Sequence, residues 1–170
     1  MAEPTTTSTA KRRSRKPTPK AKDAAAAPST AADAELPRGR TPPLDEATAD
    51  ELLRRGVALF NGVRYWHAHE AWEILWRAAS DEERDFYQGL IQVAAGLLHL
   101  QRRNARGARN LLSAGLDKLR KYLPTHRGIF VNELVGRGEA ILDELESGFL
   151  PYLIPPVIRF VDLDQSDFDR

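Results

Sequence analysis

Three observations predict an all-α fold. Apolar residues recur at three- and four-residue intervals through most of residues 44–146, the period of helices buried along one face. Breakers and caps punctuate that pattern at Asn61-Gly62, Ser80, Leu123-Pro124-Thr125 and Gly148. No stretch shows a competing strand pattern, and no long-period repeat is visible. The expected architecture is a compact antiparallel bundle of about five helices over residues 44–160. A disordered basic tail at 1–43 precedes it, an extended C-terminal segment covers it, and a loose acidic end follows at 161–170.

The elements follow in order. Residues 1–43 are rich in Ala, Thr, Ser, Pro, Lys and Arg, and beyond Met1 their one large aliphatic residue is Leu36. Such a composition does not repay the entropy of ordering. Helix one is expected over Asp45 to Asn61, with Leu52, Leu53, Val57, Leu59 and Phe60 inward. Asn61-Gly62 stops it, because both residues tolerate the left-handed conformation that ends helices. Helix two is expected over Tyr65 to Ala78. Ser80 and Glu83 read as a capping box that opens helix three, about Asp81 to Arg103. Its centre is apolar almost all round, with Gly89, Ala94, Ala95 and Gly96 allowing close neighbours. Helix four is expected over Arg106 to Tyr122, ended by Pro124. Helix five runs from Ile129 to Glu146, weakened by Gly136 and Gly138. The proline-bearing apolar stretch 149–160 is expected to be extended.

Composition narrows the function. The chain has 170 residues and no cysteine, which leaves no disulfide and no thiolate chemistry. Residues 1–43 carry nine Lys/Arg against four Asp/Glu, whereas 44–170 carry sixteen against twenty. The basic tail, with Lys11-Arg12-Arg13-Ser14-Arg15-Lys16 at its centre, is a candidate contact for nucleic acid, set against a solvated, non-specific charge run. No apolar run reaches the length of a membrane span and no secretory signal pattern opens the chain, so a cytoplasmic location without membrane contact is the expectation. Self-association through an apolar bundle face is a further expectation.

The densest chemistry lies in Tyr65-Trp66-His67-Ala68-His69-Glu70-Ala71-Trp72-Glu73-Ile74-Leu75-Trp76. As a helix, it places Tyr65, His69, Trp72 and Trp76 on one face. His69 and Glu73, at i and i+4, can touch. A polar stripe of Gln88, Gln92 and His99 runs along helix three, and Arg84 stands one turn into that helix.

Those residues resemble the family catalogued as domain of unknown function 309, small all-α proteins of bacteria and archaea with plant members. The resemblance rests on Phe60-Asn61-Gly62, Tyr65, Ala68-His69-Glu70, Trp72-Glu73 and Trp76. It continues through Glu83-Arg84, Gln88-Gly89-Leu90-Ile91-Gln92, Ala94-Ala95 and His99 to Gly107-Ala108 and Asn110. It covers about residues 50–120. It implies a compact helical bundle and no assigned activity.

Four readings of the polar cluster stand side by side. In the first, His69, Glu70, Glu73, Gln88, Gln92, His99, Arg84 and the indoles form a hydrogen-bonded structural network. In the second, His69, Glu73 and His99 hold a divalent metal with Glu70 as general base, a hydrolase-like enzyme. The paired Glu-x-x-His motifs of di-metal bundles are absent. In the third, Trp66, Trp72, Trp76 and Tyr87 wall a ligand pocket. In the fourth, an enzyme acts on RNA through Arg102, Arg103, Arg106 and Arg109. There is no glycine-rich phosphate loop and no recognisable Ser or Cys nucleophile. His67 is expected on the surface and His126 in a loop. The leading expectation is a binding or scaffold domain with a buried His/Glu cluster, and the alternative is the metal-dependent hydrolase.

Overall fold

The computed structural model describes residues 39–148 and 154–161. The remaining residues of the expected tail and acidic end lie outside them. The fold is all-α. In chain order come α1 (Glu46–Asn61), α2 (Tyr65–Ala78), α3 (Asp81–Gln101), α4 (Ala105–Leu119), a 3-10 turn (Arg120–Tyr122), β1 (Thr125–His126), β2 (Ile129–Phe130) and α5 (Val131–Glu146). The helices pack chiefly on their neighbours in sequence, most extensively α3 on α4, as short connections dictate. No helix among the described residues is long and apolar enough to cross a membrane.

The core runs through all five helices. Phe60, Trp72, Phe86, Leu112, Leu116, Leu119 and Ile141 are fully buried in it. Two close approaches set its geometry. Gly56 on α1 leaves a slot that the Trp72 indole fills, and a Cβ there would lie 2.1 Å from the indole nitrogen. At the α3–α4 crossing, a Cβ on Gly115 would lie 2.9 Å from the Gly89 carbonyl oxygen. The backbones meet there with no side chain between them.

Four expectations are corrected. The stop after α1 does not use a left-handed Asn61 or Gly62. Gly62 has φ −79, and the left-handed residue is Val63 at φ 61. Val63 N–H donates to the Phe60 carbonyl, and Arg64 N–H donates to that of Leu59, both at 2.9 Å. These bonds close the helix end and hold a β-branched residue where it is sterically disfavoured. Ser80 sits at the N-cap of α3 but makes no side-chain cap bond; the Glu83 N–H donates to the Ser80 carbonyl at 3.2 Å, and the Glu83 carboxylate turns to the hairpin instead of reaching back. Helix four ends earlier than expected, at Leu119, and α5 begins later, at Val131. Between them is a small antiparallel hairpin, Thr125 opposite Phe130 and His126 opposite Ile129. Its two-residue loop, Arg127 (φ 49) and Gly128 (φ 72), has the positive dihedrals of the type I′ turn that matches strand twist. Strands of two residues carry no readable alternation.

Two flanking segments dock on the bundle. Arg40 and Thr41, assigned to the tail by composition, bind the α2–α3 junction. Thr41 N–H donates to Arg77 carbonyl at 3.0 Å, and Arg40 donates to Ala79 carbonyl at 3.2 Å and pairs with Asp81. The C-terminal segment is extended where described. The Asn61 amide clasps Ile158 by both backbone groups, at 2.9 and 2.8 Å. Ile158 is buried, and Phe160 pairs with Ile129 as an isolated antiparallel bridge beside the hairpin.

Candidate functional site

On α2, the spacing directs Tyr65, Ala68, Trp72 and Leu75 into the core. Burial pushes the Tyr65 phenol up to about 12, so it stays neutral as a core residue. His69, Glu73 and Trp76 are half-buried on one flank, and Glu70 is exposed. The His69 imidazole stacks on Trp66, centroids 5.4 Å apart and planes 12° from parallel. Its Nδ1 is buried and has no hydrogen-bond partner. Glu73 turns the other way and pairs with Arg77 at 2.6 Å. Arg84 reaches back from α3, lies 4.1 Å over the Trp76 ring and donates to the Trp76 carbonyl at 3.2 Å. This cation over an indole ties α3 to the end of α2.

Along α3, Gln88, Gln92 and His99 are half-buried, and Gln92 Oε1 is buried without a partner. His99 serves the next helix. The Asn104 amide meets its Nδ1 at 2.8 Å, and Asn104 Oδ1 accepts Gly107 N–H at 2.9 Å. This is an N-cap for α4 with a histidine behind it. His69, Glu73 and His99 therefore have separate neighbours and are not brought together as a ligand set. Among the described residues, no group of three or more His, Asp or Glu is arranged to hold a metal ion. The four aromatics do not wall one cavity either. Trp72 is in the core, Trp66 is 51 % exposed, Trp76 lies under Arg84, and Tyr87 faces the hairpin. A groove of about 310 Å³ between α1 and α2 is lined by Arg55, Arg64, His67, Glu70 and Ile74, so Glu70 sits apart from His99.

A cluster that the sequence pattern does not announce lies at the hairpin. Both Glu83 oxygens are 3.1 Å from His126 Nε2. One of them also accepts from Arg127 Nε at 3.1 Å, and Arg127 reaches Glu46 at 2.6 Å. His126 packs edge-on against Phe86, centroids 4.6 Å apart, and beside Tyr122. Burial alone would raise the Glu83 carboxyl, but hydrogen bonds and charge from His126 and Arg127 outweigh it and hold the group below its ordinary 4.5. The folded state therefore favours the ionised form. Its contribution is present above the unfolded value and is lost as pH falls through the lowered folded value. Glu83→Gln is expected to destabilise the fold at neutral pH and to flatten the loss of stability below pH 4.5, as read by melting temperature against pH. Identical acid profiles for the two proteins would exclude this role. The sequence signal was available as His126-Arg127-Gly128, a positive-dihedral turn carrying a cation toward an acidic helix start.

The opposite end of the bundle has another character. Gln101 on α3 donates to the Val63 carbonyl at 3.4 Å, which brings the α1–α2 and α3–α4 turns together. Arg64, Arg102, Arg103 and Arg106 are exposed there, and none pairs with a carboxylate among the described residues. Arg103, like Val63, is left-handed, at φ 58. Arg109 differs, donating to the Leu145 carbonyl at 3.0 Å. Over residues 61–70 and 99–110 the one carboxylate is Glu70.

No curated protein matches the chain. The model of the family described as Domain of unknown function (DUF309) matches residues 53–111, from the middle of α1 to the first half of α4. That span holds the Trp72 slot, the α2–α3 cation contact and the His99–Asn104 cap, and it lies within the 50–120 expected from the resemblance. Over residues 53–111, about a third of the chain, the protein is thus similar to the DUF309 family, to which no activity is assigned.

Proposed function

We propose that this helical bundle is a binding or scaffold domain whose recognition surface is the end formed by the α1–α2 and α3–α4 turns. The observation that carries the reading is the contrast between the two ends. At the α2–α3 end, three of the four carboxylates over residues 81–85 are matched: Asp81 by Arg40, Asp85 by Lys121, and Glu83 by His126 and Arg127. At the other end, four exposed arginines have no described carboxylate partner, and Trp66 in the first turn of α2 is half-exposed. Unmatched cations on a rigid helical frame are complementary to an anionic partner.

The metal-dependent hydrolase has less support, because Glu73 is engaged by Arg77 and His99 by Asn104. Binding of the full chain to heparin, measured across a salt series, tests the proposed surface. The double variant Arg102→Ala/Arg103→Ala is expected to bind at least about fivefold more weakly with a shallower salt dependence. Unchanged affinity and slope would overturn the reading, since the N-terminal basic tail is common to both proteins.

A further inference from the structure

Resting on that binding surface, we infer that its ligand is single-stranded nucleic acid, with Trp66 as the stacking platform for a base. Three features converge. Trp66 is 51 % exposed, although one side of its ring is occupied by the His69 imidazole, nearly parallel at 5.4 Å. The ring is thus braced by an offset neighbour on its own helix while about half of its surface stays open to solvent, which leaves room for a second planar group. Aromatic platforms of this kind bind bases with little regard to sequence, because every base has a π-face.

The second feature is the surrounding charge. Arg64 is two residues before Trp66, and the Gln101–Val63 bond brings Arg102 and Arg103 to the same end. Arg106 follows in the first turn of α4. Guanidinium groups pair with phosphate through planar forks, and arginines at the same end of the bundle as an exposed aromatic ring are what a flexible strand needs. Phosphates meet the arginines while an unstacked base lies on the indole.

The third feature separates this ligand from an anionic membrane. A helix lying in a bilayer interface presents a continuous apolar stripe. Among the described residues, the exposed large apolar side chains at this end are Val63 and Trp66 alone, with Arg64 and His67 between and beside them. A duplex is also disfavoured, because its bases are already stacked and do not reach a surface indole.

The test uses the full chain and two variants, Trp66→Ala and Arg102→Ala/Arg103→Ala, with circular dichroism melting to verify folding. The probes are single-stranded oligothymidylate, the same length of duplex, heparin, and vesicles of mixed neutral and anionic lipid. Oligothymidylate is expected to quench the emission of Trp66, because Trp72 is buried and Trp76 is covered by Arg84. Trp66→Ala is expected to weaken binding about 5- to 100-fold and to abolish the quench. The double arginine variant is expected to reduce the log affinity–log salt slope by about 1.4, since each phosphate contact on a single strand contributes about 0.7.

Binding of heparin that depends on Arg102 and Arg103, with oligothymidylate binding unaffected by Trp66→Ala, would overturn the nucleic-acid inference and leave the binding surface standing. A Trp66-dependent response to vesicles but not to oligothymidylate would do the same in favour of a lipid surface. Equal affinity for duplex with no quench would also overturn it. Binding of every probe unaltered by both variants would overturn the inference and the surface together.

Discussion

Trp72→Ala is expected to lower the unfolding free energy by about 3–5 kcal/mol, the range for removing a large buried aromatic side chain. The indole is fully buried. It packs against Phe60 with centroids 5.8 Å apart, and its N–H points to the Leu53 carbonyl at 3.5 Å. On the Gly56 side the slot is cut into the α1 backbone, which limits collapse of the neighbours into the space. Urea unfolding followed by far-ultraviolet circular dichroism measures the loss. A deficit below about 1 kcal/mol would show that the slot closes on itself. Gly56→Ala strikes the same contact from the other side, since its methyl group would lie 2.1 Å from the indole nitrogen.

Gly115→Ala is the second large effect, and its sign is the informative part. Alanine is favoured over glycine within a helix by about 1 kcal/mol. Against that stands a Cβ placed 2.9 Å from the Gly89 carbonyl oxygen and 3.0 Å from both Val93 N and Val93 Cγ2. Two of those three atoms are backbone, so relief requires α3 and α4 to move apart along their shared length. Overpacking of this kind costs about 1–3 kcal/mol, and a net destabilisation is expected in the same urea experiment. Gly136 supplies the internal control. It lies in α5, and a methyl group added there would meet nothing within 4 Å, so Gly136→Ala is expected to gain about 1 kcal/mol. Stabilisation by both substitutions would mean that the α3–α4 approach is not tight.

The bounds of α2 were legible in the sequence, because strong punctuation lies on both sides of a strongly periodic segment. The hairpin was not, since two residues per strand leave no alternation to read and its identity depends on the dihedrals of Arg127 and Gly128. The candidate site divides in the same way. The sequence brought attention to His69, Glu73 and His99, but not to their partners. Glu73 has His69 four residues before it and Arg77 four residues after it, and both are sterically available on a helix. The choice of Arg77 belongs to the fold, in which His69 lies flat on Trp66. His99 likewise takes its partner from a turn, Asn104, that helical spacing alone does not position. The arginines after α3 were visible as a run, whereas their meeting with Arg64 and Trp66 depends on how the two turns come together.

The Asn61 clasp on Ile158 carries a consequence for the order of events in folding. The helix pairs join neighbours separated by short connections and can form early. The clasp spans 97 residues and closes a loop whose entropy is recovered only after the bundle is in place. It is therefore expected to form after the bundle and to be released before it. In native-state hydrogen exchange, the amides of Ile158 and Val161 should open as a unit at a lower free energy than those of α3, uncovering the Ile158 berth while the helices stay folded.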